Sequence, residues 1–234
     1  MLRYLLPVVI LLMSLGRVYA TWSIIIIDPK TNEIGIAGAS CTHNCYGIGE
    51  IIPNIGAVIV QAMSSNDARR KGLAMIVAEA SPKQIIEALR SPVFDPERQQ
   101  YAVITMKFIG NPEIYTGSMT HPDKGGLTAY GVSVQGNTLA NSAVLDAVMA
   151  AVEKGRDTLQ PISEILIAAL EAGAVAGGDK RCGEQKATSA FIMVAKPDDK
   201  KPYLNLQIFG QGKGKQNAVT LLSAKYERWK KKHQ

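Results

Sequence analysis

The chain has 234 residues, with 26 Lys+Arg against 20 Asp+Glu, a formal net charge of +6, 47% hydrophobic residues, 21 Gly, 11 Pro and 3 Cys. That is one domain's worth of chain with an ordinary balance of apolar and charged residues, which excludes bulk disorder and the collagen-like, coiled-coil and low-complexity classes. Three cysteines are too few for a small disulfide scaffold, and no solenoid repeat is visible.

Residues 1–20 read as an export signal. Arg3 supplies a short positive start, Leu5 to Leu15 is an apolar run broken only by Pro7 and Ser14, and Val18 and Ala20 fit the small-residue rule three and one before a cut. The run is short for a membrane span; the alternative is a signal anchor that stays attached. Cleavage after Ala20 would leave one exported domain, 21–234, with Thr21 as its new N-terminus. The leader carries Arg3 and Arg17 and no acid, so the formal charge falls from +6 to +4. Lys225, Arg228, Lys230, Lys231 and Lys232 against Glu227 account for that remainder. A basic helix end suits the helix dipole and is not the patch a nucleic-acid binder needs. Neither a nucleic-acid partner nor, after cleavage, a membrane is expected.

Thr21 to Ile27 is β-rich and apolar and predicts a buried strand. After a turn at 28–32, residues 33–40 return, so the hairpin sets Thr21 near Ser40. A loop over 41–54 precedes a short strand at 57–62 and a helix at 66–80. Ser81-Pro82 opens the next helix, to about Arg90. A Pro-rich loop at 91–97 leads to a strand pair, 101–109 and 114–117, and a turn at 121–126. A strand at 130–134 runs into Gln135-Gly136-Asn137. Ala-rich helices follow at 142–154 and 161–172, then strands at 188–195 and 203–209 and a closing amphipathic helix at 217–231. Hairpin-joined strands and paired helices predict an α+β fold: a four-layer αββα sandwich of two stacked, mostly antiparallel sheets with helices outside.

Export implies an oxidising compartment, where one disulfide and one leftover thiol are expected. Cys41–Cys182 closes the longer loop and gains more than Cys41–Cys45, which stays open as the alternative. Cys41, His43 and Cys45 form a short cluster without a clear fourth ligand, so no metal and no cofactor are expected.

Thr21 carries the chemical argument. An internal threonine hydroxyl is a poor nucleophile without a neighbouring base. A chain-terminal threonine brings its own, because a free α-amine has a pKa of about 7.7–8.0, near working pH. Removing the leader would create that group.

Thr21-Trp22-Ser23-Ile24 with Asp28-Pro29, then Gly35-Ile36-Ala37 ending at Ala39-Ser40, resembles the opening hairpin of the domain-of-unknown-function 1028 family, in the N-terminal nucleophile (Ntn) hydrolase superfamily. Gln135-Gly136-Asn137-Thr138-Leu139 and Gly177-Gly178-Asp179-Lys180-Arg181, followed by Gln185 and Ser189-Ala190, match the same pattern. One departure is Cys182-Gly183-Glu184, longer than the simplest Arg-Gly-x-Gln form. The resemblance implies the αββα sandwich, an Ntn-type site and, as such sandwiches often assemble, a homodimer. It implies no substrate.

The expected partners follow from acyl-transfer chemistry. Asn137 would aim a side-chain or backbone N–H at the oxyanion, or serve only as a helix N-cap. Asp179, Lys180 and Arg181 would set the charge around the amine, or form a surface salt-bridge loop. Ser40 and Gln135 are candidate substrate-binding residues, with Glu50 and Gln61 as weaker ones. Asp28 lies at the far end of its strand and reads as a turn residue. His43 and His121 show no triad spacing, and the glycines at 173–178 do not form a phosphate loop. The expected function is an exported N-terminal-threonine hydrolase acting on an amide or related C–N bond of a small-molecule or peptide-like substrate through an acyl-enzyme. The rivals are a hydrolase of an imide- or imine-like metabolite and a non-catalytic ligand-binding domain.

Overall fold

The computed structural model describes residues 21–233. The expected leader therefore lies outside the described residues. The Ile-rich opening forms β1 (Thr21–Ile27), paired antiparallel with β2 (Ile34–Ser40), and both strands are buried along their whole length. Strand alternation divides β1. Trp22, Ile24 and Ile26 pack with helices on one face, while Ile25 and Ile27 pack toward a second sheet. A strand covered on both faces has no need of polar residues, hence the unbroken apolar run.

Beside these lie β7 (Gly125–Ala129), β8 (Val132–Asn137), β9 (Ser189–Ala195) and β10 (Leu204–Ile208), giving a six-stranded sheet in the order β10-β9-β2-β1-β8-β7. The second sheet contains β3 (Gly49–Ile52), β4 (Gly56–Ala62), β5 (Gln99–Thr105) and β6 (Glu113–Thr116), in that order. All neighbouring strands are antiparallel. Ala57, Ile59, Ala102 and Ile104 of the small sheet meet Ile25, Ile36, Phe191 and Met193 of the large one.

Helices complete the outer layers. α1 (Asn66–Val77) and α2 (Pro82–Leu89) bury Ala68, Ile76, Ile85 and Leu89 on Val58, Val60, Tyr101 and Val103. Ser81 caps α2 in a capping box with Gln84. α3 (Ala143–Asp157), α4 (Ile162–Val175) and α5 (Ala218–His233) cover the six-stranded sheet. Gly173 lets α4 approach closely: a Cβ there would lie 2.6 Å from Trp22 Nε1 and 2.8 Å from Val148 Cγ2. The α+β, αββα architecture is the one the element order implies.

Several boundaries differ. β3 occupies part of the expected 41–54 loop, and β7 begins within the expected 121–126 turn. Both are edge strands, and pairing with β4 and β8 outweighs a glycine-containing sequence. A 3₁₀ turn at Met106–Phe108 ends β5 early. β8 is shifted from 130–134 and carries the ladder through Asn137.

A candidate active site at the end of the central strands

Four polar residues stand in a row across one end of the large sheet. Thr21 opens β1 and is flanked by Asn137 on β8 and Ser40 on β2; Ser40 in turn faces Ser189 on β9. All four are buried. Buried polar groups need partners, and some come from the opposing sheet.

Gln61 on β4 donates from Nε2 to Thr21 O at 3.4 Å and to Gln100 Oε1 at 2.7 Å. Asn137 Nδ2 donates to the same Gln100 oxygen at 3.2 Å. Gln100 Nε2 lies 3.0 Å from Gly136 O and 2.8 Å from Thr116 Oγ1. One layer inward, Ser23 Oγ donates to Gln61 Oε1 at 2.6 Å and accepts from Gln135 Nε2 at 2.7 Å. Ser133 donates to Gln135 Oε1 at 2.6 Å. Gln135 is thus a fully buried member of an inter-sheet network, opposite Ser23. Gln100 was missed in the sequence; the available signal was a glutamine pair opening an otherwise apolar strand.

A second assembly reaches the same end. Ser40 leads directly to Cys41, and Asn137 to Thr138. The segment from Asp179 to Gln185, a distorted 3₁₀ turn, connects both. Asp179 is fully buried; its Oδ2 accepts from the Cys41 backbone N–H at 2.6 Å and from Arg181 Nη2 at 2.8 Å. Its Oδ1 accepts from Arg181 N at 3.0 Å and Nε at 3.1 Å. Cys182 is disulfide-bonded to Cys41, which settles the pairing, and Cys45 is the remaining buried thiol. Lys180 N donates to Thr138 O at 3.2 Å, and Leu139 bridges to Asp179. Thr138 sits in the left-handed region (φ 53°), a strained conformation for a β-branched residue.

The three residues of this loop separate. Asp179 and Arg181 form a two-point ion pair inside the end of the sandwich. The Lys180 ammonium is mostly exposed and faces Asp123 at 3.4 Å. Gln185 turns the other way and holds the segment after β10, donating to Gly212 O at 2.9 Å and accepting from Gly214 N at 3.2 Å.

A cleft of about 320 Å³ opens beside Thr21, lined among others by Thr42, Tyr46, Met63, Ser64 and Arg69. Ala62 and Ser64, on either side of Met63, both have positive φ (69° and 54°), so the turn that delivers α1 to the cleft is strained. Burial pushes the Cys45 thiol up to about 12 and pulls the Arg69 guanidinium below its ordinary value, the latter opposed by the Glu50 carboxylate. Glu50 itself is largely exposed. Asp28 stays in its turn, accepting from Lys30 N and Thr31 Oγ1. His43 lies edge-on to Phe209 at 6.1 Å. Among the described residues no group of three or more His, Cys, Asp or Glu side chains is placed to hold a metal.

Fold and site together define an antiparallel αββα protein whose polar centre lies at the ends of its innermost strands. The chain belongs to the family of unknown function DUF1028, whose family model matches residues 21–214. It is similar to the crystal structure of protein SPO2555 from Silicibacter pomeroyi, of the same family, with a TM-score of 0.75 and 26% identity over 89% of this chain and 85% of that one. No curated protein matches.

Proposed function

We propose that the mature protein begins at Thr21 and is an exported hydrolase of the Ntn superfamily, opening an amide or related C–N bond. The observation that carries this reading is the position of Thr21: first residue of a central strand, between Ser40 and Asn137, beside an open cleft. The family match also begins at Thr21. The disulfide is compatible with export, and no helix among the described residues is long and apolar enough to cross a membrane.

In this reading Thr21 Oγ attacks the substrate carbonyl carbon while its proton passes to the Thr21 α-amine. The tetrahedral oxyanion takes hydrogen bonds from Asn137 and nearby backbone N–H groups. The C–N bond then breaks, its electron pair leaves with nitrogen, and the ammonium returns the proton to that nitrogen. Water attacks the resulting ester by the same route in reverse, releasing the acid and restoring Thr21. Ser40 hydrogen-bonds the amine, and the Asp179–Arg181 pair fixes the charge around it.

N-terminal sequencing and intact mass of exported protein test the start point, and a β-lactone electrophile tests the nucleophile. Labelling is expected at Thr21, retained in Thr21→Ser and lost in Thr21→Ala. A chain that keeps residues ahead of Thr21 is expected to be inert. A different start, or labelling indifferent to Thr21→Ala, would sink the reading and favour a non-catalytic binding domain.

A further inference from the structure

Arg69, on the first turns of α1, lines the cleft at Thr21, and among the described residues that line it Arg69 carries the one charged side chain. The side chain is 15% exposed. Its guanidinium is held from two sides: Nη2 donates to Asn66 Oδ1 at 2.8 Å, and Nε lies 4.0 Å from Glu50 Oε2. Nη1 is buried and has no hydrogen-bond partner among the described residues. The guanidinium is the one charged side chain of the lining and is only loosely paired with Glu50, so it favours an anionic group on a molecule in the cleft. Asn66, Ser64 and Thr42 line the same cleft and add neutral polar groups around it.

We infer that the Arg69 guanidinium is the recognition point for a carboxylate on the substrate, so the cleft takes a small acidic amide: a molecule with a free carboxylate besides the bond presented to Thr21. This deepens the hydrolase reading and rests on it. One guanidinium balances one negative charge; a phosphate dianion would find no second charged side chain in the lining. The cleft volume lies near the lower bound of roughly 300 Å³ for small-molecule pockets, which suits a compound of amino-acid size. Glu50 holds the guanidinium in place of the ligand only weakly, being largely exposed and at the limit of ion-pair distance.

The test separates binding from turnover. N-acetylated amino acids, each as free acid and as primary amide, are titrated calorimetrically into the Thr21→Ala protein, with inorganic phosphate as comparator. The free acid of at least one pair is expected to bind roughly 10- to 100-fold more tightly than its amide. Arg69→Gln should erase that preference and leave amide binding unchanged, Arg69→Lys should retain part of it, and Glu50→Gln should tighten the acid a few-fold. Thermal melting of each variant reports folding. A panel in which no free acid outbinds its amide, an acid preference that survives in folded Arg69→Gln, or phosphate binding more tightly than every acid overturns the inference. If the acid preference follows Arg69 but protein starting at Thr21 never turns over a bound acid, the carboxylate site stands and the hydrolase reading falls.

Discussion

Asp179 reaches across the end of the sandwich to the backbone of Cys41, accepting its N–H at 2.6 Å from a fully buried carboxylate. The same group grips Arg181 through both oxygens. Asp179→Asn keeps the shape but removes the charge and turns one acceptor into a donor facing donors. Breaking a buried pair costs about 3–5 kcal/mol; with Arg181 partly exposed, about 3 kcal/mol is expected, read as a lowered urea midpoint. On the proposed mechanism, electrophile labelling of Thr21 should also fall in the folded variant.

The disulfide ties the same region covalently. Cys41 and Cys182 are separated by 141 residues, and cross-links over long loops contribute about 2–4 kcal/mol. Reduction should lower the thermal midpoint and broaden access to the Asp179 loop. Because burial holds the Cys45 thiol at about 12, iodoacetamide should add nothing to the native oxidised protein and two groups after reduction without unfolding, counted by mass.

Much of this arrangement was legible in the sequence, for identifiable reasons. The Thr21–Ser40 register follows from a hairpin whose two strands have equal length, and the Ser81 cap from its Pro82 neighbour. Edge strands β3 and β7 were not legible, because their pairing is decided by neighbours distant in sequence. Asp179, Lys180 and Arg181 are consecutive, and only the fold shows that the outer two turn inward while Lys180 meets Asp123. Gln100 and Arg69 sit on elements from the other half of the sandwich, and no local pattern in the sequence links either to Thr21.

Acid stability should depend on Glu97. The Ser118 side chain, the Tyr115 hydroxyl at 2.6 Å and the Ser118 N–H at 2.8 Å hydrogen-bond its carboxylate, in that order of effect, and hold its pKa at about 2. A depressed carboxylate contributes stability above its unfolded value, about 4.3, and loses it as the pH falls toward about 2. Glu97→Gln should therefore be less stable than wild type at neutral pH, with the difference shrinking between pH 4.5 and 2. Urea midpoints across that range check the sign.

Packing behind Thr21 gives a further prediction. An added methyl at Gly173 would press on the Trp22 ring, which is fully buried beside the candidate nucleophile. Overpacking typically costs about 1–3 kcal/mol, partly offset by the better helix propensity of alanine. Gly173→Ala should melt at a lower temperature despite that propensity. An unchanged or raised midpoint would show that α4 can retreat.

Along the inter-sheet face of β1 the residues run Thr21, Ser23, Ile25, Ile27, so the gap between the sheets is lined by amides at one mouth and sealed by hydrocarbon at the other. The interior is thus asymmetric. An incoming molecule can find hydrogen-bonding groups at the amide-lined mouth, whereas the hydrocarbon one offers it none.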